Sequence, residues 1–178
     1  MKKNDNKGII ILLILCIVLI GGLLIKNYFD NKIPNIYYRT YTKENGWSKW
    51  VKNGKTSGDK KTKIQNIQIK VKNNTDVIYS LYTDDWSDSY NVTSKIKNKE
   101  IKGIKISLMD KLYKKYDIYY RTYNSDNEWL EWASNYQISG NKNKTINAIE
   151  IKIIPKSVLE SDYLKDFNKS NYNPSIGF

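Results

Sequence analysis

The chain has 178 residues, a formal net charge of +12, one cysteine and no histidine. Its length suffices for one domain of ordinary size with a core of its own. Without histidine it lacks the commonest general base and metal ligand, and one cysteine cannot make an internal disulfide.

Residues 8–25 read GIIILLILCIVLIGGLLI, without a charge. At about 1.5 Å per residue this run covers most of a bilayer core about 30 Å thick, so it predicts a transmembrane helix. A cleaved signal peptide would have a shorter apolar region ending in small residues. Here the run ends Leu24, Ile25, Lys26, which favours an uncleaved anchor. Cys16 lies inside the run and reads as a membrane-buried thiol; Leu15 precedes it where a lipid-modified cysteine would want a small residue. Lys2, Lys3 and Lys7 precede the span, which favours residues 1–7 as a cytoplasmic N-terminus and an extracellular C-terminal domain. Residues 26–35 read as a linker. Residues 1–32 hold five lysines and two aspartates, leaving +9 on the remainder. So basic a domain reads either as one attracted to anionic polymers, an effect that salt weakens, or simply as a Lys/Asn-rich chain kept soluble by its charge.

Residues 36–41 read IYYRTY, and residues 118–123 read IYYRTY again. Aligned without a gap, residues 36–71 and 118–153 also share Trp47/Trp129, Trp50/Trp132, Ser57-Gly58/Ser139-Gly140 and the ladder Ile64, Ile67, Ile69/Ile146, Ile149, Ile151. A shorter copy lies between them, over 78–108. There Ile78-Tyr79 answers Ile36-Tyr37, Trp86 and Tyr90 stand for the tryptophan pair, and the Ser-Gly pair is missing. The three units are therefore 36–71, 78–108 and 118–154, followed by a C-terminal tail, 155–178.

Each unit reads as strands. IYYRTY is rich in aromatic and β-branched residues, with Tyr37, Arg39 and Tyr41 on one face and Ile36, Tyr38 and Thr40 on the other. The closing segments NIQIKV, GIKISL and AIEIKI alternate apolar with polar, the mark of a strand buried on one side. Residues 107–116 have room for a short turn of helix, and 157–167 for a short helix after Pro155 ends the last strand. A three-strand unit cannot stand alone in water, but three can close on one core. The expected fold is thus all-β: a pseudo-threefold repeat domain, β-prism-like or alternatively β-trefoil-like, behind one transmembrane helix.

These residues resemble the clostridial hydrophobic repeat with its namesake tryptophan, the ChW repeat. The resemblance rests on Gly46-Trp47, Trp50-Val51, Gly54 and Gly58 in the first unit, and on Trp129, Trp132, Gly140 and Ala148-Ile149-Glu150-Ile151 in the third. Glu128 and Tyr136 replace two of the glycines, and the middle unit keeps only Trp86 and the ladder. The resemblance implies a surface or secreted protein of low-GC Gram-positive bacteria that binds polysaccharide, cell wall or partner proteins.

No catalytic constellation emerges. There is no nucleophile elbow, P-loop, zinc-protease signature or dinucleotide turn. Asp84, Asp85 and Asp88 read as turn formers, and no metal or cofactor is expected. The ligand-binding candidates are Trp47, Trp50, Tyr37, Tyr41, Trp129, Trp132, Tyr119, Tyr123, Trp86 and Tyr90. Residues three apart on a strand face opposite ways, so Trp47 and Trp50 are not expected to enter the core together. Either one packs inside and the other under the loop, or one ring per unit lies exposed as a platform for sugar rings, with Tyr37 or Tyr41 hydroxyls beside it. Lys52, Lys55, Lys60, Lys61 and Lys63 form a candidate anion patch; a merely solvated loop is the other reading. The functional expectation is a membrane-anchored, non-catalytic binding module for polysaccharide or anionic cell-wall polymer. The alternative is a protein-interaction or adhesion module without a glycan site; nucleic acid is a remote partner.

Overall fold

The computed structural model of the protein describes residues 5–71, 76–91, 96 and 99–158, without side chains for 5–7 and 26–31. It divides into two compact units, Met1–Ile33 and Pro34–Phe178.

The first unit is a single helix, α1 (Asp5–Asn31). Its stretch Gly8–Ile25 is long and apolar enough to cross a membrane, and none of that stretch is buried against protein. The helix also takes in residues assigned from sequence to the N-terminal tail and the linker.

Among the described residues the second unit has ten strands, one short α-helix and a closing 3-10 turn. The strands are β1 (Tyr37–Thr42), β2 (Gly46–Trp47), β3 (Val51–Lys52), β4 (Asn66–Lys70), β5 (Val77–Tyr82), β6 (Gly103–Leu108), β7 (Tyr116–Asn124), β8 (Ala133–Ser134), β9 (Ser139–Gly140) and β10 (Ile146–Pro155). The short helix is α2 (Asp110–Lys115), inside the segment where a turn of helix was expected. β10 ends on Pro155, which the sequence reading places just beyond the strand, at the start of the tail. Of the expected tail helix over 157–167, only the 3-10 turn Lys156–Val158 is described; the rest lies outside the described residues.

The strands form three antiparallel sheets. The first is β2-β1-β3 with β4 on β1, the second β5-β6-β9, and the third β10-β7-β8. Each is organised around a long hairpin: β1 on β4, β5 on β6 and β7 on β10. Alternation sets the faces. On β1 the residues Tyr38, Thr40 and Thr42 are buried while Tyr37, Arg39 and Tyr41 are half-exposed. Ile67 and Ile69 of β4, Ile104 and Ile106 of β6, and Ile149 and Ile151 of β10 all point into one core shared by the three sheets. Each fully buried isoleucine contributes roughly 1.5–3 kcal/mol.

Backbone bonds tie sheet to sheet. The Ile64 N–H donates to the Ile146 carbonyl at 2.9 Å, Ile146 to Ile101 at 2.8 Å, and Ile101 back to Ile64 at 2.9 Å, closing a ring. Ser57 forms a bridge with Ile149 of β10, and β9 lies along β6. At both of these crossings the chain needs glycine. Gly58 (φ +105°) and Gly140 (φ +137°) sit so close to the carbonyls of Asn147 and Lys102 that a Cβ would overlap them.

Two sequence expectations are corrected here. In the middle unit Tyr82 pairs with Trp86 as Tyr41 pairs with Trp47, and Tyr79 pairs with Ile106 as Tyr38 pairs with Ile69. Val77, not Ile78, therefore occupies the place of Ile36. One residue of register exchanges the two faces of a strand, which is why Tyr79 is buried and Ile78 is not. The same register turns Tyr90 inward: it pairs with Tyr79 and packs on the core where Val51 does in the first sheet. Tyr90 is thus not the partner ring to Trp86 on the outer face.

Candidate functional site

On the outer face of the first sheet, aromatic and cationic side chains alternate. The Tyr41 ring meets the edge of Trp47 at 5.4 Å between centroids. The Arg39 guanidinium lies 4.7 Å from the Trp47 ring centre and 4.8 Å from that of Trp50. Lys70 Nζ lies 4.2 Å from the Trp50 ring centre. The third sheet repeats the arrangement: Tyr123 on Trp129 at 5.3 Å, Arg121 at 4.6 Å from Trp129 and 4.8 Å from Trp132, and Lys152 at 4.1 Å from Trp132. Each such contact contributes about 0.5–1 kcal/mol when partly exposed.

The local chain explains why both tryptophans share a face. Trp47 ends β2, but residues 48–50 are not strand, so the alternation that would separate positions 47 and 50 is broken between them. Neither ring enters the core and neither is a bare platform: both are half-buried, and both contact the same guanidinium. Each arginine is oriented from the adjacent strand. Arg39 Nε donates to Gln68 Oε1 at 2.7 Å, and Arg121 Nε to Glu150 Oε2 at 2.8 Å. The third sheet therefore holds a true ion pair where the first holds a neutral acceptor. Glu150 also accepts a bond from Thr56 Oγ1 at 2.6 Å, which links the first unit's loop to the third sheet. Burial, aided by Arg121 and opposed by Glu150, pushes the Lys152 ammonium below the usual lysine range.

Among the other candidates, Tyr37 and Tyr119 are half-buried on the same outer faces, opposite Lys70 and Lys152. Burial first, and Asp117 second, push the Tyr119 hydroxyl up. Trp86 meets Tyr82 at 5.4 Å and has Lys105 Nζ 4.0 Å from its ring centre. The five lysines of the first loop have different surroundings. Lys63 pairs with Glu100 at 2.9 Å. Lys60 reaches the third sheet, 5.1 Å from the Tyr123 ring centre and 5.2 Å from that of Trp129. Lys52, Lys55 and Lys61 are exposed. Asp84 holds Lys99 at 2.9 Å and Lys102 at 3.7 Å, while Asp85 accepts the Trp86 backbone N–H at 2.7 Å; both carboxylates have local partners.

Between the Trp47–Trp50 loop and the Ser57 crossing lies a groove of about 270 Å³. At its base Thr40, Ser48 and Ser57 share hydroxyl contacts, with Ser57 Oγ 3.1 Å from both partners. Among the described residues, no group of three or more acidic or cysteine side chains could hold a metal ion.

Sequence reasoning set Arg39 on one face with Tyr37 and Tyr41 but did not name it, Arg121, Lys70, Lys152, Lys105 or Tyr136 as a site residue. The signal was present for all but Tyr136, Lys105 lying between Ile104 and Ile106 on the wet side of its ladder. Strand alternation puts Arg39 between Tyr37 and Tyr41, and Lys70 and Lys152 on the wet side of their ladders. Tyr136 carried no such signal, because it arrives from outside the hairpin it covers. No protein-family model, curated protein or solved structure matches the chain.

Proposed function

We propose that the protein is a membrane-anchored, non-catalytic surface module that binds an anionic polymer of the cell wall through the outer faces of its sheets. The observation that carries this reading is the tryptophan–arginine–tryptophan–lysine stack, present on two sheets with the same partners and nearly the same distances. A cation held over an indole keeps its charge at the surface, in a fixed place, so the face presents ordered positive charge backed by apolar rings. Such a surface suits a chain that alternates anionic groups with C–H faces. The net charge of +9 beyond residue 32 supports the same partner. Further support comes from the resemblance of the tryptophan pair and ladder to the ChW repeat.

In this reading the three sheets are repeats of one unit around a pseudo-threefold axis, in a prism-like arrangement. The hydrogen-bonded ring of Ile64, Ile146 and Ile101 lies at the start of the three ladder segments and supports it. Helix α1 crosses the membrane with the lysine-bearing N-terminus inside and the sheets outside. The test is co-sedimentation of the full chain, in detergent micelles, with purified Gram-positive cell wall. Trp50→Ala and Trp132→Ala each remove the ring that lies between an arginine and a lysine. With the fold checked by circular dichroism, each should weaken retention several-fold. Retention unchanged in both variants would overturn the role given to the stacks.

A further inference from the structure

The second sheet departs from the other two on the same face. Its pairing puts Ser80 where the first sheet has Arg39 and Ser89 where it has Trp50; Lys105, opposite Ser80, takes the place of Gln68. A guanidinium, an indole and a carboxamide are thus replaced by two hydroxyls and an ammonium. The ammonium has no carboxylate partner among the described residues, whereas Arg121 in the third sheet has Glu150.

The vacated place is covered by Tyr136, which enters from the segment between β8 and β9. Its hydroxyl lies 3.2 Å from Ser80 Oγ, which in turn lies 3.2 Å from Ser89 Oγ. Lys105 Nζ stands 4.0 Å from the Trp86 ring centre and 5.6 Å from that of Tyr136. The three oxygens form one chain, the ammonium stands beside the Trp86 and Tyr136 rings, and Tyr136 is 41% exposed. The bonds from Ser80 and Ser89, with Lys105 nearby, pull the Tyr136 phenol below its usual range.

Tyr136 is held there against its backbone preference. Its φ is +73°, and the corresponding residue of the first unit is Gly54, with φ +80°. Both N–H groups donate at 2.7 Å to a ladder carbonyl of another sheet, Ile106 for Tyr136 and Ile151 for Gly54. A side chain at this left-handed position is strained, and strain of this kind collects at binding sites.

We propose that Trp86, Lys105, Ser80, Ser89 and Tyr136 form a dedicated site for one oxyanion, a phosphate diester or carboxylate, carried on a sugar or polyol chain. Lys105 supplies the charge, the exposed Ser89 and Tyr136 hydroxyls donate to the anion while the buried Ser80 hydroxyl holds both in place, and the Trp86 and Tyr136 rings lie against the C–H face of the chain. This rests on the anionic-polymer reading and adds to it one located subsite, distinct from the general positive field.

Equilibrium dialysis of the full chain in neutral-headgroup micelles, against poly(glycerol phosphate) and against polygalacturonate, tests it. The wild-type chain should bind at least one polymer, and the preferred one distinguishes phosphate from carboxylate. Lys105→Gln should lower affinity about tenfold or more, as loss of a charge-assisted contact does. Tyr136→Gly, which relieves the backbone, should lower affinity while raising thermal stability or leaving it unchanged. Lys111→Gln and Lys114→Gln, at exposed positions on α2 outside the stacks, should each change affinity about twofold or less, as surface charges do. Equal losses from all three lysine variants would overturn the local site and leave the general anionic reading intact. Binding of wild-type protein to whole cell wall but to neither polymer would overturn the oxyanion site. Failure to bind cell wall as well would remove the wider reading with it.

Discussion

At the scale of the residue, single atoms decide where the chain passes from one sheet to another. Gly58 and Gly140 each cross a ladder strand with φ in the left-handed region and no room for a Cβ. Gly46 (φ +70°) and Gly54 (φ +80°) have similar backbones but open space around the missing Cβ. Gly46→Ala and Gly54→Ala should therefore cost only the conformational penalty, about 1–2 kcal/mol. Gly58→Ala and Gly140→Ala should cost at least about 3 kcal/mol, because backbone must move as well. Urea unfolding followed by tryptophan fluorescence separates the two pairs; equal losses would mean that the crossings are looser than they stand. The Ser-Gly pairs were visible in the sequence as a repeat, but not as crossings. A glycine announces a special φ and does not say which strand comes close.

Buried tyrosines do the same work at the scale of the element. Tyr38 of β1 donates to the Lys55 carbonyl and accepts the Ile151 N–H of β10 at 3.0 Å. Tyr79 of β5 donates to the Ile67 carbonyl of β4 at 2.9 Å, and Tyr120 of β7 to the Gln137 carbonyl. Burial, the largest influence on Tyr38, pushes its hydroxyl well above the ordinary tyrosine value of 10.0. The folded state therefore keeps this proton at a pH where the unfolded chain gives it up. Its contribution is complete below pH about 10 and falls as the pH rises further. Tyr38→Phe should cost about 1 kcal/mol at neutral pH, from the two backbone groups left without their partner. It should also show a shallower loss of stability than wild type above pH 10. Parallel alkaline curves for the two proteins would contradict that account. The inward placing of Tyr38 and Tyr120 was legible from alternation. That of Tyr79 was not, because aligning Ile78-Tyr79 with Ile36-Tyr37 put the middle unit one residue out of step. The tryptophan pair was misread for a related reason: strand geometry was extended through residues 48–50, where the chain leaves the strand.

For the whole molecule, the apolar span and the all-β class followed from long, regular patterns: eighteen residues without a charge, and three ladders of alternating isoleucine. The faces were harder to read because they are made between units. Lys60 of the first loop reaches the rings of the third sheet, and Tyr136 of the third unit covers the second. No local pattern encodes such a contact. The chain as a whole carries a basic domain whose outer tryptophans are paired with cations, and a helix long and apolar enough to cross a membrane. The central claim is that these faces bind the anionic polymer of the wall. The most direct measurement is retention of the full chain, in micelles, on purified cell wall before and after chemical removal of that polymer, from low to high salt. The account predicts strong retention on intact wall, falling steadily with salt, and little retention on stripped wall at any salt. Equal retention on both, insensitive to salt, would contradict it and point to the glycan backbone or a protein as the partner.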